Sequence, residues 1–196
     1  MTRELASQGL TVEEAIARRR SERDFSNIPM SLSELSRLLL YSAGITDERG
    51  RFRAAPSAGA TYPIEVYIVV NNVAALTGGI YRYLVESHEL ELLREGDFRQ
   101  EMSRAALGER MLKQANVVLA LSAVFRRTQQ RYGERAHRYI LFEAGHIAQN
   151  ACLAATSMGL GACAIGAFYD DDFNRVLGLD GKDESLLYLV AVGKPR

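Results

Sequence analysis

Residues 56–70 read PSAGATYPIEVYIVV. From Ile64 to Val70 the apolar positions alternate well enough for a strand. The residues before it are unusual for a strand mouth: two prolines enclose Ser57, Ala58, Gly59, Ala60 and Thr61, all small, and one tyrosine. Small side chains leave backbone N–H and C=O groups bare, so a neighbouring strand or a planar ligand can lie flat against them. A second stretch of this kind, ACAIGAF, spans 162–168.

The surrounding pattern is mixed. Thr11 with Glu14, and Ser31 with Glu34, are capping boxes, which predict a helix from Val12 to Arg20 and another opening at Ser31. In the second, Leu32, Leu35, Leu38 and Leu39 form one apolar stripe, and Gly44 is its stop. Gly79–Gly96 reads as a hairpin turning near Glu86–His88, and Asp97–Gln114 as a helix. Val117–Phe125 is an apolar strand, and Glu134–Met158 the longest helical pattern. A short strand of small residues (161–168), a short helix (171–177) and a buried strand (186–192) complete the chain. No repeat, linker or low-complexity segment interrupts it, so residues 1–196 are expected to form one α+β domain.

Composition excludes several classes. Hydrophobic residues make up 47% and charged residues 24%, which is ordinary globular usage. Lys plus Arg and Asp plus Glu are balanced at 24 each, so a nucleic-acid partner is not expected. Two cysteines, Cys152 and Cys163, make no disulfide framework and suit a reducing compartment. The first ten residues carry no apolar signal core, and no run reaches the ~18 apolar residues of a membrane span. A cytoplasmic, soluble protein is the expectation.

Most catalytic signatures fail. GLGACA at 159–164 fits the loose dinucleotide pattern, but a helix precedes it and a strand follows, the reverse of what that site needs. There is no phosphate-binding P-loop. His137 and His146, nine apart on one helix, project to opposite sides, and His88 sits in a turn, so no metal set forms. What remains is the run Arg18-Arg19-Arg20-Ser21-Glu22-Arg23, four guanidiniums and a hydroxyl expected at a helix C-terminus. Such a run is either a cation-rich last turn favoured by the helix dipole or a clamp for a phosphate.

In that order along the chain, these blocks resemble the FMN-dependent nitroreductases, and among them the SagB-type dehydrogenase branch. Arg19-Arg20-Ser21-x-Arg23-x-Phe25 looks like the family's opening signature, Pro56-Ser57-Ala58-Gly59 like its P-S-S-x-N block, LFEAGHIAQNACLAATSMGLG (141–161) like the SagB-branch dimer helix, and ACAIGAF like the segment facing the flavin. The resemblance runs to the closing VGKP. It implies an α+β nitroreductase-like fold with a mainly antiparallel sheet flanked by helices, a homodimer with flavin at the interface, and FMN as cofactor. Arg19, Arg20 and Ser21 would contact the isoalloxazine and ribityl, and Arg23 the phosphate. Lys194 would join the cofactor set. Pro56, Ser57, Ala58, Gly59 and Ala60 would reach it from the partner, and Ile165, Gly166 and Ala167 would face its ring through backbone.

Three departures matter. Ala60 stands where many members have a flavin-contacting asparagine, and Gly166 where the classical branch has glutamate. Arg131-Tyr132 stands where the azoline-oxidising members carry Lys-Tyr, and arginine is no general base at neutral pH. Tyr132 is open to two readings: a catalytic proton donor or substrate contact, or a tyrosine capping the helix entry against the core. The expected activity is hydride transfer through flavin N5 between NAD(P)H, or an organic donor, and a small nitro, quinone or enone acceptor. The alternatives are a SagB-type azoline dehydrogenase acting on peptides, a flavin-binding module without turnover, and a protein whose arginine run is a surface feature. Residues 141–158 look apolar on every face, from Ala144, Gly145 and Ile147 to Ala155, which predicts burial against a second copy.

Overall fold

The computed structural model describes residues 9–47, 49 and 52–196. Met1–Gln8, Glu48, Gly50 and Arg51 lie outside them, so the N-terminal stretch and the basic segment 49–53 are described only in part.

Both capping boxes form. Thr11 and Glu14 exchange hydrogen bonds of 3.0 and 3.2 Å at the start of α1 (Val12–Arg18), and Ser31 and Glu34 bonds of 2.7 and 3.2 Å at α2 (Leu32–Ala43). The α2 stripe buries Leu35, Leu38 and Leu39 completely, whereas Leu32, in the first turn, stays exposed. Gly44 ends α2 through close approach rather than unusual backbone: a Cβ there would lie 2.7 Å from Leu40 Cα.

The strands β1 (Ile64–Val70), β2 (Gly79–Leu84), β3 (Glu89–Glu95), β4 (Val117–Val124), β5 (Gly161–Ile165) and β6 (Glu184–Gly193) form one sheet. Its order is β3-β2-β1-β4-β6-β5, every neighbouring pair antiparallel. Alternation sends Val117, Leu119 and Leu121 of β4 to one face and Val118 and Ala120 to the other, all fully buried. The first face packs under α2 and α6 (Ala136–Ser157), the second under α3 (Arg99–Ala105), α4 (Met111–Gln114) and α7 (Asp170–Leu177). At the hairpin turn, buried His88 bridges Tyr83 Oη (2.6 Å) and Ser36 Oγ (2.9 Å), tying β2–β3 to α2.

Four expectations change. Asp97–Gln114 is two helices, because Leu107 and Gly108 take left-handed backbone (φ 55° and 86°) and break the ladder. A separate helix, α5 (Arg126–Tyr132), precedes the long one. Only Arg18 of the arginine run lies in α1; the rest follows in an extended segment whose Ser21 pairs in parallel with Ala162 of β5. The long helix is apolar over most of its surface but not all of it: Ala144, Ile147, Ala148, Ala151 and Cys152 pack on their own sheet, while the exposed side carries Leu141, Phe142 and Gly145 interrupted by the polar His146 and Gln149. Among the described residues, no helix is long and apolar enough to cross a membrane.

Candidate functional site

The singled-out residues gather in two groups. The first surrounds residues 56–62, just ahead of β1. Ser57 Oγ accepts the Tyr62 N–H (2.9 Å), and Ala60 N–H returns to Ser57 O (3.1 Å), which curls the segment. The curl needs positive φ at Gly59, Ala60 and Tyr62 (59°, 55° and 44°). Two of these are not glycine, and such backbone persists only where its surroundings hold it.

Arg131 and Tyr132, at the end of α5, supply part of that hold. Arg131 Nη1 donates to Gly59 O (3.1 Å), and a Cβ on Gly59 would lie 2.5 Å from Tyr132 Oη. Gly59 is therefore small for an intramolecular reason: its bare backbone is covered by this chain's own Arg-Tyr pair. Thr61 Oγ1 meets Thr128 Oγ1 at 2.9 Å, and Arg127 Nη1 donates to Tyr62 O (3.0 Å), so successive positions of α5 grip the segment. Tyr132 is half-buried, packs edge-on to Tyr139 (4.9 Å), and its hydroxyl has no hydrogen bond among the described residues. The packing fits a helix cap, and the hydroxyl is also available to a ligand.

Beneath this segment lies a residue the sequence reading missed. Glu143 of α6 is 3% exposed, accepts hydrogen bonds from the Ser57 hydroxyl and the Ile64 N–H, and feels the charges of Arg53 and Arg127. Burial nonetheless pushes its carboxyl up to about 7, against the opposing pull of those partners. The signal was present: Glu143 lies beside Ile140, Ala144 and Ile147 on the buried stripe, where a carboxylate is out of place.

The second group lies along β5. In the extended segment after α1, side chains alternate. Arg23 and Ser21 both act on Cys163, holding down a thiol that burial raises, and Arg19 acts on Cys163 and Cys152. Arg20 is turned away: its guanidinium donates to Ala17 O (3.0 Å) and Arg19 O (2.8 Å) at the end of α1. At the other end of β5, Ile165 is buried while Gly166 and Ala167 are exposed, and a Cβ on Gly166 would meet nothing closer than 3.8 Å. Lys194 is bound by Glu34 at 2.5 Å, and its backbone N–H by Asn116 Oδ1 at 2.8 Å. Burial opposes ionisation of Glu34, yet Lys194 and Ser31 hold its carboxyl below the usual range.

The two groups do not meet within one chain. Tyr132 precedes the first turn of α6 and Ala162 follows its last, with 22 helical residues, about 33 Å, between. No hydrogen bond or ion pair joins them among the described residues, nor do His, Cys, Asp and Glu side chains cluster as a metal site would need.

Comparison with known proteins settles the family. The Nitroreductase family model matches residues 16–194, nearly the whole chain. The chain belongs to that family. It is 40% identical to the Methanocaldococcus jannaschii protein named "Putative nitroreductase MJ1384", over 94% of this chain and 91% of that one. It is 31% identical to the trifolitoxin-processing protein TfxB of Rhizobium leguminosarum bv. trifolii over 81% of its length, spanning 46% of TfxB. Among solved structures, a Ralstonia eutropha protein named "putative nitroreductase" superposes with a TM-score of 0.86 at 27% identity, covering all of this chain and 88% of that one. A Desulfovibrio desulfuricans protein named "putative nitroreductase", solved in complex with FMN, superposes at 0.65 with 20% identity, covering 94% and 86%. The antiparallel nitroreductase fold expected from the sequence is thus borne out, and the family's members are oxidoreductases.

Proposed function

We propose that the protein is an FMN-dependent oxidoreductase working as a homodimer, with each flavin held between the β5 group of one protomer and the 56–60 segment of its partner. The observation that carries this reading is the division into two half-sites at opposite ends of α6, which a two-fold axis would bring together. The exposed Leu141 and Phe142 beside Gly145 supply an apolar face for such an axis. Residue chemistry fits the cofactor. Arg23 and Arg19 offer guanidiniums to a phosphate and Ser21 a hydroxyl to the ribityl chain, while Gly166 and Ala167 leave backbone bare for a flat ring. Arg20 would serve the set indirectly, by closing α1.

Bound flavin would supply hydride transfer itself, which leaves the chain to bind, orient and exclude water. The substrates that fit are NAD(P)H as donor and a small nitro, quinone or enone acceptor. A peptide azoline as substrate is the second reading. It is favoured by the likeness to TfxB and by the placement of Tyr132 beside Gly59, its hydroxyl unbonded among the described residues. The absence of lysine at position 131 weighs against it.

The purified protein is expected to be yellow, to release FMN on heating, and to scatter light as twice the 21.7 kDa chain. A colourless protein that ignores added FMN, or a flavin-loaded monomer, would overturn this reading. Within it, Arg23→Ala should weaken FMN binding more than Ser57→Ala. A charge-assisted contact contributes roughly 1.5–3 kcal/mol and a neutral hydroxyl about 0.5–1.5 kcal/mol. Equal dissociation constants by fluorescence titration would remove Arg23 from the phosphate.

A further inference from the structure

Beside the curled segment, and sharing Thr61, Tyr62 and Arg127 with it, lies a cleft of about 610 Å³. Three guanidiniums from three different elements line it: Arg53 from the loop before Pro56, Arg82 from β2 and Arg127 from α5. Two carboxylates, Glu65 and Glu86, share the lining, and each guanidinium has a carboxylate partner: Arg53 has Glu86, Arg127 has Glu65 and Arg82 has Glu91.

Of the three, Arg53 is fixed better than its counter-ion. Arg53 is only 18% exposed and its guanidinium sits over the Tyr62 ring at 4.3 Å, whereas Glu86, 3.1 Å away on the hairpin turn, is 77% exposed. An exposed carboxylate on a turn is a weak partner, and a ligand bringing its own anion can replace it. Arg127 is anchored by Glu65 (2.6 Å) and by Tyr62 O (3.0 Å). Arg82 pairs with Glu91 (2.9 Å), and its buried Nε has no hydrogen-bond partner among the described residues.

We infer that this cleft binds a small organic polyanion, carrying two or more carboxylate or phosphate groups, by exchange with Glu86 on Arg53. The volume suits such a ligand, and guanidinium forks match both head groups. Thr61 and Tyr62 line the cleft and belong to the curled segment, so occupancy would be felt at Ser57–Ala60.

The test is isothermal titration calorimetry of the as-purified protein with pyrophosphate and, separately, citrate, at constant ionic strength. Saturable binding of either anion is expected, the tighter one naming the head group. Arg53→Gln should weaken it at least tenfold, and Glu86→Gln, which removes the internal competitor, should tighten it several-fold. Should Arg53→Gln fail to fold by circular dichroism, Arg82→Gln carries the same expectation. Flavin content is read in each variant and should not change, which separates this site from the cofactor site. No saturable heat with either anion, or a Glu86→Gln variant that binds no tighter than the parent, would overturn the inference.

Discussion

Asn116→Ala is expected to lower the free energy of unfolding by about 2–4 kcal/mol, one of the largest effects available to a single polar side chain here. Asn116 is fully buried ahead of β4. Its amide donates to Ile28 O and Asn72 O (both 2.9 Å), and its carbonyl oxygen accepts the Lys194 N–H (2.8 Å). One side chain thus joins the exit of β6 and the entry of β4 to the loop that follows the arginine segment. Truncation leaves the Lys194 N–H and Ile28 O without this partner, while Asn72 O keeps the Met30 N–H. Urea unfolding measures the loss. An unchanged midpoint and slope would show that the knot is not a structural determinant.

The second large effect is a pH dependence of stability centred on Glu143. Its folded value, about 7, lies above its ordinary 4.5, so the folded state holds the proton more tightly than the unfolded chain. The sign follows: the contribution is fully present below pH 4.5 and is lost as pH rises through 7. That gap corresponds to about 3 kcal/mol. Glu143→Gln keeps the shape and does not titrate. The stability of the parent minus that of the variant should therefore fall between about pH 4.5 and pH 7 and level off above it. A difference that stays flat across that range would mean that Glu143 ionises normally and that solvent reaches it.

Much of this molecule is legible in its sequence, for physical reasons that differ from element to element. The capping boxes at Thr11 and Ser31 are local, since each needs only residues three apart, and both form. β1, β4 and β6 announce themselves because buried strands must be apolar. α5 was hidden because it is polar and buries only Thr128, so it carries no periodicity; it is held by bonds to a segment 65 or more residues earlier. The break at Leu107–Gly108 was equally hidden, since leucine gives no sign of left-handed backbone. At the candidate site, the blocks were visible but their facing was not. Whether Arg20 joins Arg19 and Arg23 depends on the pairing of Ser21 with Ala162, a contact across 141 positions of sequence.

That same pairing has a bearing on solubility. A sheet ordered β3-β2-β1-β4-β6-β5 has two free margins, and each unpaired margin is a template for a strand from another molecule. β3 is guarded by its own charges, with Glu89, Glu91, Arg94 and Glu95 exposed along ELELLRE. β5, GACAI, has no charge of any kind. Its protection is borrowed: Ser21 bridges Ala162, and the Glu22 N–H caps Ala162 O at 3.0 Å. The arginine segment is thus also the cover of an adhesive edge. Whatever ligand steadies those arginines also keeps the molecule from joining its neighbours strand to strand.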